Sequence, residues 1–198
     1  LSRSDKNLNH FKGHFIHEKC DLLKFTSNDF LNIFKKHFPL SSICFCQRYR
    51  SNLKVNNSQF NKEEYTVMVE SIANALTAIN LINDERIHEN KNDFLRIVIV
   101  GSTYASRVGN DQYWGYHACK AAQLSLVRYF SLNAKTKYNI NMLSPATYIK
   151  NGAEDYWSDH PKSAIWKNYP QKQLATVNEI ANEVYNLMSS SSRYNNGN

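Results

Sequence analysis

Hydrophobic positions along this chain switch repeatedly between two periods. Phe30, Ile33, Phe34 and Phe38 recur at helical spacing behind the capping residues Thr26-Ser27-Asn28-Asp29, and Pro39 closes that segment. Ile43-Cys44-Phe45-Cys46 is a short apolar run of strand type. From Lys62 to roughly Asn83, the residues Tyr65, Met68, Val69, Ile72, Leu76, Ile79, Leu81 and Ile82 mark a long amphipathic helix. A polar loop from Glu85 to Asp93 precedes Phe94-Leu95-Arg96-Ile97-Val98-Ile99-Val100, a β-branched run suited to a strand buried on both faces. A helix from about Trp114 to Ala134 follows, then the strand Ile140-Asn141-Met142-Leu143, stopped by Pro145. A last helix is predicted from Val177 to about Met188, with Thr176 or Asn178 as its cap and Glu179 in its first turn.

Strands alternating with helices at this spacing predict an α/β protein, a doubly wound parallel sheet with helices on both faces and right-handed crossovers. The length suits one such Rossmann-type domain over residues 1–198. Ligands of these sheets bind beyond the carboxyl ends of the strands. Gln47 to Arg50, Ser102 to Tyr104 and Pro145 to Ile149 are therefore expected around one crevice.

Composition narrows the function classes. The chain is 42% hydrophobic and 21% charged, ordinary for a soluble globular protein. No apolar run is long enough for a transmembrane helix, and Leu1-Ser2-Arg3-Ser4-Asp5-Lys6 lacks the apolar core of a secretory signal. A cytoplasmic location with no membrane partner is expected. The net charge of +7 is spread over single and paired basic residues without a nucleic-acid signature, so a solvated basic surface is expected and no nucleic-acid partner. Cys20, Cys44, Cys46 and Cys119 include no CxxC pair and read as reduced thiols. On a strand, Cys44 and Cys46 share a face without geometry for an easy bridge. His10, His14 and His17 are near one another but lack a carboxylate cluster, so no metal is expected.

One constellation carries chemistry. Tyr116 and Lys120 stand four apart on a helix and project from one face, while Ser102 ends the preceding buried strand. Carbonyl reduction needs a proton donor, and an unassisted phenol with a pKa near ~10 exchanges protons poorly at neutral pH. A nearby ammonium favours the phenolate, and a serine hydroxyl can hold the substrate oxygen.

The ordered set Ile97-Val98-Ile99-Val100-Gly101-Ser102, then Tyr116-x-x-x-Lys120, then Leu143-Ser144-Pro145-Ala146-Thr147 resembles the short-chain dehydrogenase/reductase family across nearly the whole chain. The resemblance implies Tyr116 as general acid/base, Ser102 as anchor of the substrate oxygen, and Lys120 as the residue that tunes Tyr116 and holds the nicotinamide ribose. It implies NADP rather than NAD, through Arg3 at the end of the family's second strand, with Asp21 and Leu22 against adenine and Pro145 and Thr147 near the nicotinamide or pyrophosphate. For the family's structural asparagine, counting back from Ser102 selects Asn74, whereas counting from Tyr65 lands nearer Ile72. A homodimer or homotetramer is implied, using the helix from Lys62 and the helix bearing Tyr116.

Two departures from the family pattern stand out. The glycine-rich turn after the first strand is missing from this sequence, and the resemblance implies a chain that is cut at both ends, beginning inside the second strand and stopping before the last. Cys46-Gln47-Arg48-Tyr49-Arg50 replaces the usual Asn-Asn-Ala-Gly, adding bulk and positive charge that could meet a phosphate or an anionic substrate, or obstruct the cofactor. Tyr156, Trp157, Trp166 and Tyr169 mark the expected substrate loop, for a small carbonyl or alcohol substrate. Beside the active reductase stand two rivals: a nucleotide-sugar epimerase or dehydratase, disfavoured by length, and a catalytically inactive relative that keeps the fold as a binding module.

Overall fold

The structure, a computed structural model, describes residues 18, 20–49, 61–82, 94–109, 112–134, 138–149, 174–189 and 196–197. The elements are α1 (Ser27–His37), β1 (Ser42–Phe45), a helix in three parts, β2 (Leu95–Val100), α4 (Trp114–Leu132), β3 (Tyr138–Leu143), the short β4 (Tyr148–Ile149) and β5 (Ala175–Thr176), and α5 (Val177–Met188). The three-part helix comprises α2 (Lys62–Tyr65), a π-turn (Thr66–Glu70) and α3 (Ser71–Asn80).

The alternating periods predict this architecture correctly. β1, β2 and β3 form a parallel sheet in that order, with Ile43 opposite Ile97 and Ile97 opposite Ile140. Leu95, Ile97 and Ile99 send their side chains into a core filled by Phe30 and Phe34 of α1, Ile72, Leu76 and Ile79 of α3, and Val127 and Phe130 of α4. Each large apolar side chain buried there contributes about 1.5–3 kcal/mol before chain entropy is charged against it. Pleating turns Arg96, Val98, Asn139 and Asn141 to the opposite face, where α5 packs along the strands.

The helix starts follow the sequence signals. Thr26 and Asp29 form a reciprocal capping box on α1, and Thr176 and Glu179 repeat it on α5, selecting Thr176 over Asn178 as the cap. Each such cap stabilises its helix by about 1 kcal/mol. Two boundaries differ from the apolar pattern. β3 begins at Tyr138 rather than Ile140, because buried Asn139 and Asn141 interrupt the hydrophobic run while their backbone stays in the sheet. The long helix stops at Asn80 and contains the π-turn, in which the Ser71 N–H donates to Thr66 O.

Past β3 the edge is occupied. Gly197 N–H donates to Ile140 O at 2.8 Å, and the Asn196 side-chain oxygen accepts from Ile140 N–H at 2.9 Å. Gly197 has φ 81°, a left-handed conformation that suits glycine. The expectation of a single domain over residues 1–198 remains a proposal. The residues 150–173, including the aromatics of the expected substrate loop, lie outside those described, as do Arg3, Arg50, His10, His14 and His17.

At the carboxyl end of β2, Gly101 N–H donates to Leu143 O at 2.7 Å. A Cβ on Gly101 would stand 1.9 Å from Met142 Cε and 2.8 Å from its Cγ. Gly101→Ala is thus expected to cost about 1–3 kcal/mol of unfolding free energy, the range for overpacking. Chemical denaturation checks it: in a Met142→Ala background the same substitution should cost little more.

Candidate functional site

The site is built on the carboxyl end of β2 and the first turns of α4. Ser102 leaves β2 in extended conformation and caps the short 3₁₀ turn Thr103–Ala105, its Oγ accepting from Tyr104 N–H at 3.3 Å. Because that contact uses the oxygen, the Ser102 O–H retains a proton to donate, with no acceptor among the described residues. Thr103 N–H donates to Pro145 O at 3.3 Å, which draws the loop after β3 against Ser102. Tyr104 packs edge-on against Tyr116, ring centroids 6.2 Å apart, and against His117 at 4.7 Å.

On α4, Tyr116 is 9% exposed and Lys120 3% exposed. The Lys120 ammonium lies 5.7 Å from the Tyr116 ring centroid. Its Nζ donates to Val100 O at 3.2 Å and to Gln123 Oε1 at 3.0 Å. An ammonium carries three N–H donors, so one remains unspent among the described residues. Burial, reinforced by the charge of Arg48, lowers the Lys120 pKa to about 8, while Cys119, Glu64 and Cys46 pull it the other way. The Tyr116 hydroxyl likewise has no hydrogen-bond partner among the described residues.

Described contacts thus link these residues at the end of β2: Tyr104, next to Ser102, packs on Tyr116, Lys120 lies beside the Tyr116 ring, and Thr103 N–H ties in Pro145, with exposed Thr147 on the same loop. They do not include Asn74. The Asn74 carboxamide donates to Phe25 O at 3.1 Å and meets Ser27 Oγ at 3.3 Å, fastening α3 to the start of α1. Gln123 of α4 reaches the long helix at Met68, ahead of Ser71–Asn80, and the count back from Ser102 depends on the length of the segment 83–93 rather than on the helix. A role for Asn74 beside the catalytic residues stays a proposal. Asp21 lies in the turn before α1, where its carboxylate accepts from Leu23 N–H at 3.3 Å, and Leu22 packs against the main core. Arg3 lies outside the described residues.

Three residues gain a place at the site that the motif alone did not assign. Arg48, exposed, sets its guanidinium carbon 5.5 Å from the Tyr116 ring centroid. Glu64 is 2% exposed, its carboxyl pushed up to about 7 by burial, against the opposing pull of Arg48 and Lys120. Gln123 is 1% exposed and joins Lys120 to the π-turn. A polar residue one turn beyond Lys120 on an otherwise apolar face was a readable signal for Gln123. No sequence feature placed Glu64. Cys44 and Cys46 approach to 3.2 Å between sulfurs, nearer than a regular strand predicts. Hydrogen bonding from Cys44, and more weakly the Lys120 charge, brings the Cys46 thiol down to about 7 against the opposing effect of burial. Among the described residues no cluster of three or more metal-ligating side chains occurs, and no helix is long and apolar enough to cross a membrane.

A parallel sheet with these side chains beyond its carboxyl edge is a Rossmann-type α/β architecture. The chain belongs to the short-chain dehydrogenase/reductase family of oxidoreductases: the family model described as enoyl-(acyl carrier protein) reductase matches residues 40–198. A search of curated proteins finds no match. Solved structures share the fold. A 3-oxoacyl (acyl-carrier-protein) reductase from Agrobacterium tumefaciens C58 with NADP bound has a TM-score of 0.68 at 16% identity, covering 91% of this chain and 70% of that one. RhlG of Pseudomonas aeruginosa, in an NADP active-site complex, gives 0.69 at 14% identity, covering 91% and 72%. A short-chain dehydrogenase from Escherichia coli CFT073 complexed with NADPH gives 0.64 at 19% identity, covering 91% and 71%.

The buried Glu64 carboxyl yields a pH prediction. A folded-state pKa raised from 4.5 to about 7 means the folded state binds the proton more tightly, so stability falls as pH rises from 4.5 through about 7 and then levels. Glu64→Gln is expected to melt progressively higher than the parent across that window, read by thermal denaturation at several pH values.

Proposed function

We propose that this chain is an NADP(H)-dependent oxidoreductase that interconverts a carbonyl and an alcohol, with Tyr116 as its acid/base. The observation that carries the reading is the set of three unspent donors at one end of β2: Ser102 O–H, Tyr116 O–H and the third N–H of Lys120. All three residues are buried, while none of these donor atoms is among the fully buried ones that lack a partner, and the Tyr116 hydroxyl is thus open to solvent or to a ligand.

The residues suit the nicotinamide-ribose half of the cofactor. Lys120 offers its remaining N–H to a ribose hydroxyl, while Pro145 and the exposed Thr147 border the same crevice. Arg3 is the proposed holder of the 2′-phosphate, with Asp21 and Leu22 at the adenine end. Bound there, the nicotinamide would exchange hydride with the substrate carbon. Ser102 Oγ–H holds the substrate oxygen, and Tyr116 Oη–H gives that oxygen its proton, or takes it back in the reverse direction. Lys120 makes the phenolate less costly while it remains charged. Activity that needs this charge should fall as pH rises past about 8.

The NADP and NADPH in the neighbouring structures support the nicotinamide reading, and the oxidoreductase family supports the chemistry. A second reading, an inactive binding module, draws on Arg48, whose guanidinium stands over the face of Tyr116. A homodimer or homotetramer is proposed with either reading; exposed Trp114, Tyr129 and Leu132 on α4 offer apolar surface for it. A soluble cytoplasmic protein with a small-molecule substrate completes the proposal.

NADPH and NADH titrations of the full-length protein, followed by tryptophan fluorescence, test it. NADPH should bind more tightly than NADH, and Arg3→Ala should weaken NADPH selectively. Tyr116→Phe should leave NADPH affinity intact and lower kcat by about 10²–10⁴-fold, the usual contribution of a positioned acid/base. Failure of the folded protein to bind either nucleotide would favour the inactive module.

A further inference from the structure

We propose that Gln123 is the positioning residue of Lys120, clamping its ammonium to the π-turn Thr66–Glu70 so that the remaining N–H faces the crevice. What that N–H serves rests on the reductase reading; the clamp itself stands on geometry.

Gln123 follows Lys120 by three residues on α4, one helical turn away on the same face. Both ends of its carboxamide are engaged. Oε1 accepts from Lys120 Nζ at 3.0 Å, and Nε2 donates to Met68 O at 2.7 Å. Met68 is fully buried and lies within the π-turn. These partners dictate the amide's orientation: reversing it would set an NH2 against an ammonium and a carbonyl against a carbonyl. An apolar residue at this position would leave Met68 O without this donor and the buried ammonium with Val100 O alone.

The charged and titratable groups around Lys120 come from three parts of the fold. Arg48 follows β1 and opposes the ammonium; Cys46 precedes it in the same loop; Glu64 belongs to α2; Cys119 and Tyr116 share α4. Among the described residues no carboxylate hydrogen-bonds to Nζ. The side chain that holds the charge is thus a neutral amide. A neutral acceptor stabilises the ammonium less than a carboxylate would, leaving the proton exchangeable near the working pH.

The test uses full-length protein labelled with ¹³C-lysine. The Cε resonance of Lys120, assigned by its loss in Lys120→Gln, reports the titration of the ammonium without requiring turnover. Gln123→Met removes the acceptor and should lower the midpoint by about one to two pH units, the effect of losing one hydrogen bond to a charge. Gln123→Glu adds a carboxylate and should raise it. In an active enzyme the high-pH limb of kcat should move in the same directions, while the NADPH Kd changes less than kcat. An unmoved midpoint in folded Gln123→Met and Gln123→Glu would overturn the clamp even if both variants lose activity. Shifted midpoints in a protein that binds no nucleotide would uphold the clamp and remove the reductase reading instead.

Discussion

A positive charge buried at the rim of a parallel sheet is the constraint around which this site is arranged. Removing an ammonium from water costs several kcal/mol unless its protons are received elsewhere. Lys120 meets that cost with the carbonyl of Val100, a group made available because β2 ends there, and with the amide of Gln123. The sheet, α4 and the π-turn are consequently fastened to one another through two side chains, Lys120 and Gln123. Glu64 shares the same enclosure, and its preference for the proton follows from the low-dielectric surroundings that depress the Lys120 pKa.

The fold was legible because its signals are local. Ile97 and Ile99 sit in an uninterrupted apolar run, and Thr26 and Thr176 each stand three residues before an acid, which is enough to place a strand and two helix starts. The Ser102, Tyr116 and Lys120 set was legible for a different reason: fixed spacing on a helix and a strand end translates directly into proximity. The count that selected Asn74 runs back from Ser102 through the segment 83–93, whose length no helical period fixes, and the Asn74 carboxamide meets Phe25 O and Ser27 Oγ. Arg48 was expected near this site from its place just after a strand, but Glu64 could not be read as a neighbour of Lys120. It meets Lys120 through tertiary packing, and nothing in its own sequence surroundings encodes that meeting.

Arg48 shows how a departure from family pattern alters a site without removing it. Its guanidinium shares the Tyr116 ring with the Lys120 ammonium, 5.5 and 5.7 Å from the ring centroid respectively. One is buried and fastened, the other exposed and attached to a loop. The buried charge suits tuning of the phenol while Lys120 stays protonated. The exposed one adds positive potential at the mouth of the crevice, where an anionic group would arrive.

The outer margin of β3 has a consequence for the molecule's conduct in solution. A strand whose amides point outward is a template on which another chain can lay itself. Here Ile140 is already satisfied on both its N–H and its C=O, by the Asn196 side chain and the Gly197 backbone, and Asn196 is further tied to Ser131 of α4. Two residues thus act as a selvedge stitch at the middle rung of β3, taking the hydrogen-bonding places there that a pairing strand would need.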